Sequence, residues 1–72
     1  MSKQEMLAQF IVQDVVALIT EDEGVEFDQA MRRFYTSRTF EVLYDFDTLL
    51  YREGAHYVWC VYREEATLPP IA

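Results

Sequence analysis

Cysteine is nearly absent from this chain, and the single one, Cys60, excludes an intramolecular disulfide. Such usage fits a reducing cytoplasm better than a secreted, cross-linked scaffold. Basic residues are scarce as well: 6 Lys and Arg stand against 13 Asp and Glu, for a net charge of −7. Nucleic-acid affinity comes largely from neutralising phosphates with Lys and Arg, so this balance argues against direct nucleic-acid binding. Long apolar runs are missing too. The longest, Tyr57 to Tyr62, has six residues, where a membrane span needs roughly 18 to 20. The opening MSKQEM leads straight into an amphipathic pattern, without the basic, apolar and small-residue succession of a signal peptide. The expected product is soluble and cytoplasmic, with no membrane association.

What is present describes a folded domain. Of the 72 residues, 51 % are apolar and 15 % aromatic, too rich a mixture for a disordered chain. A chain this short forms one domain and buries only about 60 % of its unfolded surface. Its stability should be roughly 4 to 10 kcal/mol on the usual per-residue scale. With no disulfide to help, good packing or self-association must supply it. The charge is uneven. Residues 1–31 carry seven acids and one base, and residues 39–72 carry six acids and two bases. Arg32, Arg33 and Arg38 form the one basic island between them, and pairing with the acids upstream is its simplest use.

Hydrophobic spacing predicts a first helix from about Ser2 to Thr20. Leu7, Ile11, Val15 and Leu18 recur at helical spacing, and Ala8, Val12 and Ile19 widen the stripe. Ser2-Lys3-Gln4-Glu5 matches a capping box, and Gly24 marks the end. Glu21, Asp22 and Glu23 oppose the helix dipole there and are expected to fray the last turn. Met6, Phe10 and Ala17 form a second patch away from the Leu7 stripe, while Val16 falls on neither. A helix apolar over more than one face is either central to its fold or shared with another chain.

A second helix opens at Glu26 or Phe27, carries Phe27, Ala30, Met31, Phe34 and Tyr35 on one face, and closes at Thr36-Ser37. A third, short one starts at Ser37 or Arg38 and turns Phe40, Leu43 and Tyr44 inward, until Asp45 and Asp47 break the pattern. The last segment reads two ways. Tyr57-Val58-Trp59-Cys60-Val61-Tyr62 favours a strand, with Glu53-Gly54 as a hairpin turn after Leu49-Leu50-Tyr51. As a helix, Ala55, Val58, Trp59 and Tyr62 share one face and the element ends over Arg63 to Glu65. The reading adopted is an all-α single domain of three or four helices over residues 1–66, with residues 67–72 as a flexible tail. The alternative is an α+β fold with a C-terminal β-hairpin.

From Gly24 to Glu65 the chain resembles a pattern found in short uncharacterised bacterial proteins. The pattern reads here as Asp28-Gln29-Ala30-Met31, Phe34-Tyr35, Ser37, Phe40-Glu41-Val42-Leu43, Thr48-Leu49-Leu50-Tyr51 and Tyr57-Val58. The resemblance implies an all-helical domain of unknown function. For some of its members it also implies a place in toxin–antitoxin-like or mobile-element gene pairs, hence a partner and not a reaction. It supplies no catalytic residues, and it favours the helical reading of the C-terminal segment.

Candidate chemistry is sparse. His56 and Cys60 are four apart and would sit on adjacent helical turns, yet a zinc site needs at least a third ligand. A Cys–His nucleophile pair needs a lowered thiol pKa and an orienting third group, and the apolar neighbours of Cys60 would push its pKa upward. Asp45-Phe46-Asp47 fails as a calcium loop, with Leu50 where Gly belongs and His56 where Glu belongs. Three short helices fit a helix-turn-helix outline, but Thr39 to Tyr44 carries Glu41 and no base-reading side chain. Asp14 falls beside the Leu7–Leu18 stripe, where pairing with Arg33 or Arg38 is expected. No catalytic residue, cofactor or metal is assigned.

Tyr35, Tyr44, Tyr51, Tyr57, Tyr62 and Trp59 are more large amphipathic rings than one small core holds, and such rings are enriched at interfaces. Tyr51, Tyr57 and Trp59 are the expected aromatic contact cluster, with Phe10 and Val12 on the first helix as a self-association face. The function read from the sequence is a non-catalytic, acidic protein-interaction or regulatory module. Its sharper form is an antitoxin-like neutraliser steered to a basic partner. The leading reading includes homodimerisation through the first helix; the alternatives are a small homo-oligomerisation module and a metal- or thiol-dependent enzyme using His56 and Cys60.

Overall fold

The computed structural model describes residues 2–67 as four α-helices, α1 (Lys3–Glu23), α2 (Phe27–Tyr35), α3 (Arg38–Tyr44) and α4 (Ala55–Thr67). Two 3-10 turns, Phe46–Thr48 and Leu50–Arg52, link α3 to α4. No strand occurs among the described residues, so the domain is all-α and the hairpin does not form. The expected tail begins inside α4 at Thr67, and residues 68–72 lie outside the described residues. No helix among the described residues is long and apolar enough to cross a membrane.

The helix ends follow the local chemistry. Ser2 caps α1 by accepting the Glu5 backbone N–H at 3.1 Å, and its hydroxyl donates to the Glu5 carboxylate at 3.2 Å. Gly24 ends α1 in the left-handed region at φ 65°, donating its N–H to the Thr20 carbonyl, a conformation glycine takes without a Cβ penalty. The acids Asp22 and Glu23 remain inside the last turn instead of fraying it. Asp22 pairs with Arg63 at 3.6 Å, and Glu23 pairs with Arg33 and accepts from the Tyr62 hydroxyl at 3.3 Å. Cations from α2 and α4 thus offset the unfavourable dipole term.

A side chain from α4 holds the start of α3. Ser37 caps it locally, accepting the Phe40 N–H at 3.2 Å. The Glu65 carboxylate accepts the backbone N–H groups of Arg38 and Thr39 at 2.8 and 2.9 Å and the Thr39 hydroxyl at 2.7 Å. An anion there satisfies the unpaired N–H groups of the first turn. Burial alone would raise the Glu65 pKa. The hydrogen bonds from Thr39 and Arg38, with the Arg38 charge, outweigh that and hold it below the ordinary carboxylate value.

Helix α1 runs through the middle, packed against α2, α4, α3 and the second 3-10 turn. Its core side is Ala8, Ile11, Val12, Val15, Val16 and Ile19, which meet Ala30, Phe34, Leu43, Leu50, Val58 and Tyr62. This side is rotated from the stripe expected. Val16, assigned to neither patch, is 1 % exposed, whereas Leu7 is 41 % exposed and Leu18 only partly covered. Three helices wrap one side of α1, and their combined width draws in Val16 and leaves Leu7 at the rim. On α2, Ala30 and Phe34 are buried while Phe27 and Tyr35 stay exposed; on α3, Leu43 is buried, Phe40 partly so, and Tyr44 exposed.

Helix α4 forms although its residues favour strand. Gly54, at φ 88°, turns the chain, and its carbonyl accepts the Val58 N–H at 3.2 Å. Val58 and Tyr62, one turn apart, are both buried, and Tyr62 stands edge-on to Phe34 at 5.9 Å. Burial of that face outweighs β propensity, which measures fit to a pleated surface more than a backbone preference.

Candidate interaction surface

The apolar residues left outside the core gather along the far side of α1. Successive residues of a helix turn by about 100°, which sets Met6, Phe10 and Ala17 opposite Ala8, Val15 and Ile19. All three outer residues are exposed, Phe10 by 59 %. Beside them a shallow groove of about 470 Å3 is lined by Leu7, Phe10, Ile11, Asp14, Tyr51, Arg52, Gly54 and Ala55. A second depression at its N-terminal end shares Leu7, Tyr51 and Arg52 and adds Lys3 and Gln4. The 3-10 turn at Leu50–Arg52 builds this wall: Leu50 is buried against α1, and the turn then presents Tyr51 and Arg52 beside it.

Of the residues expected at an interface, Phe10 and Tyr51 therefore come together in one groove. Tyr51 also packs edge-on against Phe46 at 5.5 Å. Tyr57 is 53 % exposed on α4 and Trp59 is partly buried, but neither lines the groove. Trp59 stands edge-on to His56 at 5.3 Å and under the Arg63 guanidinium at 4.9 Å, with its buried Nε1 unpaired among the described residues. Val12, 6 % exposed, belongs to the core. Its edge meets a third depression lined by Gln9, Gln13, Tyr35 and Tyr44. The expected cluster of Tyr51, Tyr57 and Trp59 is thus divided between two places. Lys3 and Arg52 were not singled out by the sequence, and Leu7 was read there as part of the core stripe; their part in the groove depends on how the loop before α4 folds back onto α1.

Asp14 makes no pair with Arg33 or Arg38. Arg33 is engaged by Glu23, and Asp14 is exposed in the groove beside Arg52. The rings of Tyr35, Phe40, Tyr44, Phe46 and Tyr51 form a continuous series with successive centroids 4.9 to 6.1 Å apart, and Phe34 joins it to Tyr62. Most of the excess aromatic surface is used in this way, ring on ring along α3. Burial raises the Tyr44 pKa, with Tyr35 and Glu5 adding to the effect; burial and then the Glu23 carboxylate do the same for Tyr62.

The pair singled out for chemistry is brought close together. The Cys60 Sγ lies 3.8 Å from His56 Nδ1 on consecutive turns of α4. Among the described residues no three His, Cys, Asp or Glu side chains are grouped to hold a metal ion.

The fold and surface define a class, a four-helix all-α domain with a central helix apolar on two sides. No protein-family model, curated protein or solved structure matches the chain.

Proposed function

We propose that this chain is a non-catalytic, acidic protein-interaction module that binds through the outer face of α1 and the adjoining groove. The observation that carries the reading is the second apolar side of α1. Its core side is filled by α2, α3 and α4, yet Met6, Leu7 and Phe10 remain exposed on the other. Contiguous apolar surface on a small domain marks an interaction site more often than chance exposure. The groove supplies a large anchor ring, Phe10, and a ring with a polar tip, Tyr51, the residue types that dominate interface energetics.

A net charge of −7 steers such a module toward a basic partner, as in an antitoxin-like neutraliser. The test is capture of partners by the tagged chain from lysate of its native host at low and high salt, alongside Phe10→Glu. A stoichiometric basic partner is expected, released by salt and lost in Phe10→Glu. Equal capture by both forms would remove the α1 face from the reading, and salt-insensitive binding would remove the neutraliser.

A further inference from the structure

The outer face of α1 has a polarity that selects its occupant. Lys3, Leu7, Phe10, Asp14, Ala17 and Glu21 follow alternating spacings of four and three, the repeat of a helix seam that meets another helix. All six are exposed. The N-terminal end of this seam is basic, with Lys3 and Arg52 lining one depression. The C-terminal end carries Glu21. Among the described residues none of Lys3, Arg52 and Glu21 has an ion-pair partner, in contrast to Asp22 and Glu23.

Resting on the reading that this face is a binding surface, we infer that its occupant is a second copy of the chain, with the two α1 helices antiparallel about a twofold axis near position 12. The six positions are symmetric about that point. Lys3 then faces Glu21 of the other copy at both ends, and Arg52 stands beside the same carboxylate. Leu7 faces Ala17, a large residue against a small one. Phe10 faces Asp14, and the two Phe10 rings sit about 6 Å apart along the seam, four residues at 1.5 Å each, so they meet across the axis. A parallel pair would instead bring Lys3 to Lys3 and Glu21 to Glu21. One helix face per copy is less than the roughly 800 Å2 per partner of a standard interface. With the Phe10–Asp14 mismatch and the like charge of the copies, the dimer should be weak, with a dissociation constant of about 10 to 100 μM.

The test is sedimentation equilibrium of the full chain from about 5 to 500 μM at roughly 0.15 M salt, where long-range repulsion is screened. Lys3→Glu and Glu21→Lys each turn two attractive pairs into repulsive ones and should weaken the dimer roughly ten- to a hundred-fold. The double variant Lys3→Glu/Glu21→Lys should restore it. Both positions are exposed, and circular dichroism of each variant verifies that the helices persist. A wild-type monomer up to about 500 μM, or a dimer indifferent to the single reversals, overturns the inference. If the wild type is monomeric but captures another protein that Phe10→Glu loses, the self-pairing fails and the interaction reading stands. If Phe10→Glu changes neither assembly nor capture, both fail.

Discussion

At the residue scale, the strained position of the backbone is Leu49. It sits between the two 3-10 turns at φ 60°, the one positive φ on a non-glycine residue among those described. The left-handed region costs an L-residue with a Cβ about 1 to 2 kcal/mol, and the Leu49 side chain is itself exposed. Its removal therefore forfeits little packing. Leu49→Gly relieves the backbone, while the freer unfolded chain takes back about 0.5 to 1 kcal/mol. The expected net is a gain of about 0.5 kcal/mol, read as a raised urea midpoint at unchanged slope. A lowered midpoint would mean that Leu49 holds the turn by contacts and not merely at a cost. Trp59 shows the opposite kind of compromise. Its indole Nε1 is buried without a partner among the described residues, while its ring is held by Arg63 and His56.

At the scale of elements, α3 is short, at seven residues, below the length at which a helix persists alone in water. What holds it is Glu65 on α4, whose carboxylate takes three hydrogen bonds at its N-terminus. Hydrogen bonds to a charged acceptor are worth more than neutral ones, so Glu65→Ala should cost about 1 to 2 kcal/mol. The pH dependence has a definite sign. The Glu65 pKa is lower folded than unfolded, so its contribution is fully present above the unfolded value, near 4.3, and is lost as pH falls through the folded value. Urea midpoints of wild type and Glu65→Ala should differ at pH 7 and converge toward pH 3. A constant gap across that range would mean that Glu65 acts through packing and not through its charge.

These elements also show what the sequence could carry. The capping serine, Gly24 and the extents of α2 and α3 were legible because they depend on neighbours within four residues, whereas the last turn of α1, expected to fray, is held by Arg33 and Arg63 from other helices. The choice of helix over strand for Tyr57–Tyr62 was not, since it turns on Val58 and Tyr62 meeting α1 and Phe34. Nor was the Glu65 cap, which joins residues 26 and 27 positions apart. Val16 and Leu7 exchanged places because a helical wheel gives the direction of a side chain but not the width of what packs against it. Phe10 could be read from its place opposite the core stripe. Its neighbours Tyr51 and Arg52 became part of one surface only through the 3-10 turns.

At the scale of the whole molecule, charge is the dominant fact, and it sets opposite expectations for folding and for binding. Thirteen acids and six bases share 72 residues, and the ion pairs Arg33–Glu23 and Arg63–Asp22 are both substantially solvent-exposed. Exposed pairs contribute about 0 to 1 kcal/mol each and weaken with salt. The repulsion among the remaining acids also weakens with salt, and it acts across a molecule only 31 × 29 × 17 Å in extent, within a few Debye lengths at low ionic strength. With the Arg33–Glu23 and Arg63–Asp22 pairs of the described residues set against an excess of seven negative charges, the repulsive term is the larger. Raising NaCl from about 20 to 300 mM should therefore lift the melting temperature, by roughly 3 to 6 °C if the screened repulsion amounts to about 0.5 to 1 kcal/mol. Binding to a basic partner moves the other way, because the same salt screens the attraction that steers the encounter. Thermal melts and partner binding measured over one salt series separate the two effects. A melting temperature that falls with salt would mean that the two cross-helix pairs, and not the acidic excess, govern the stability of the fold.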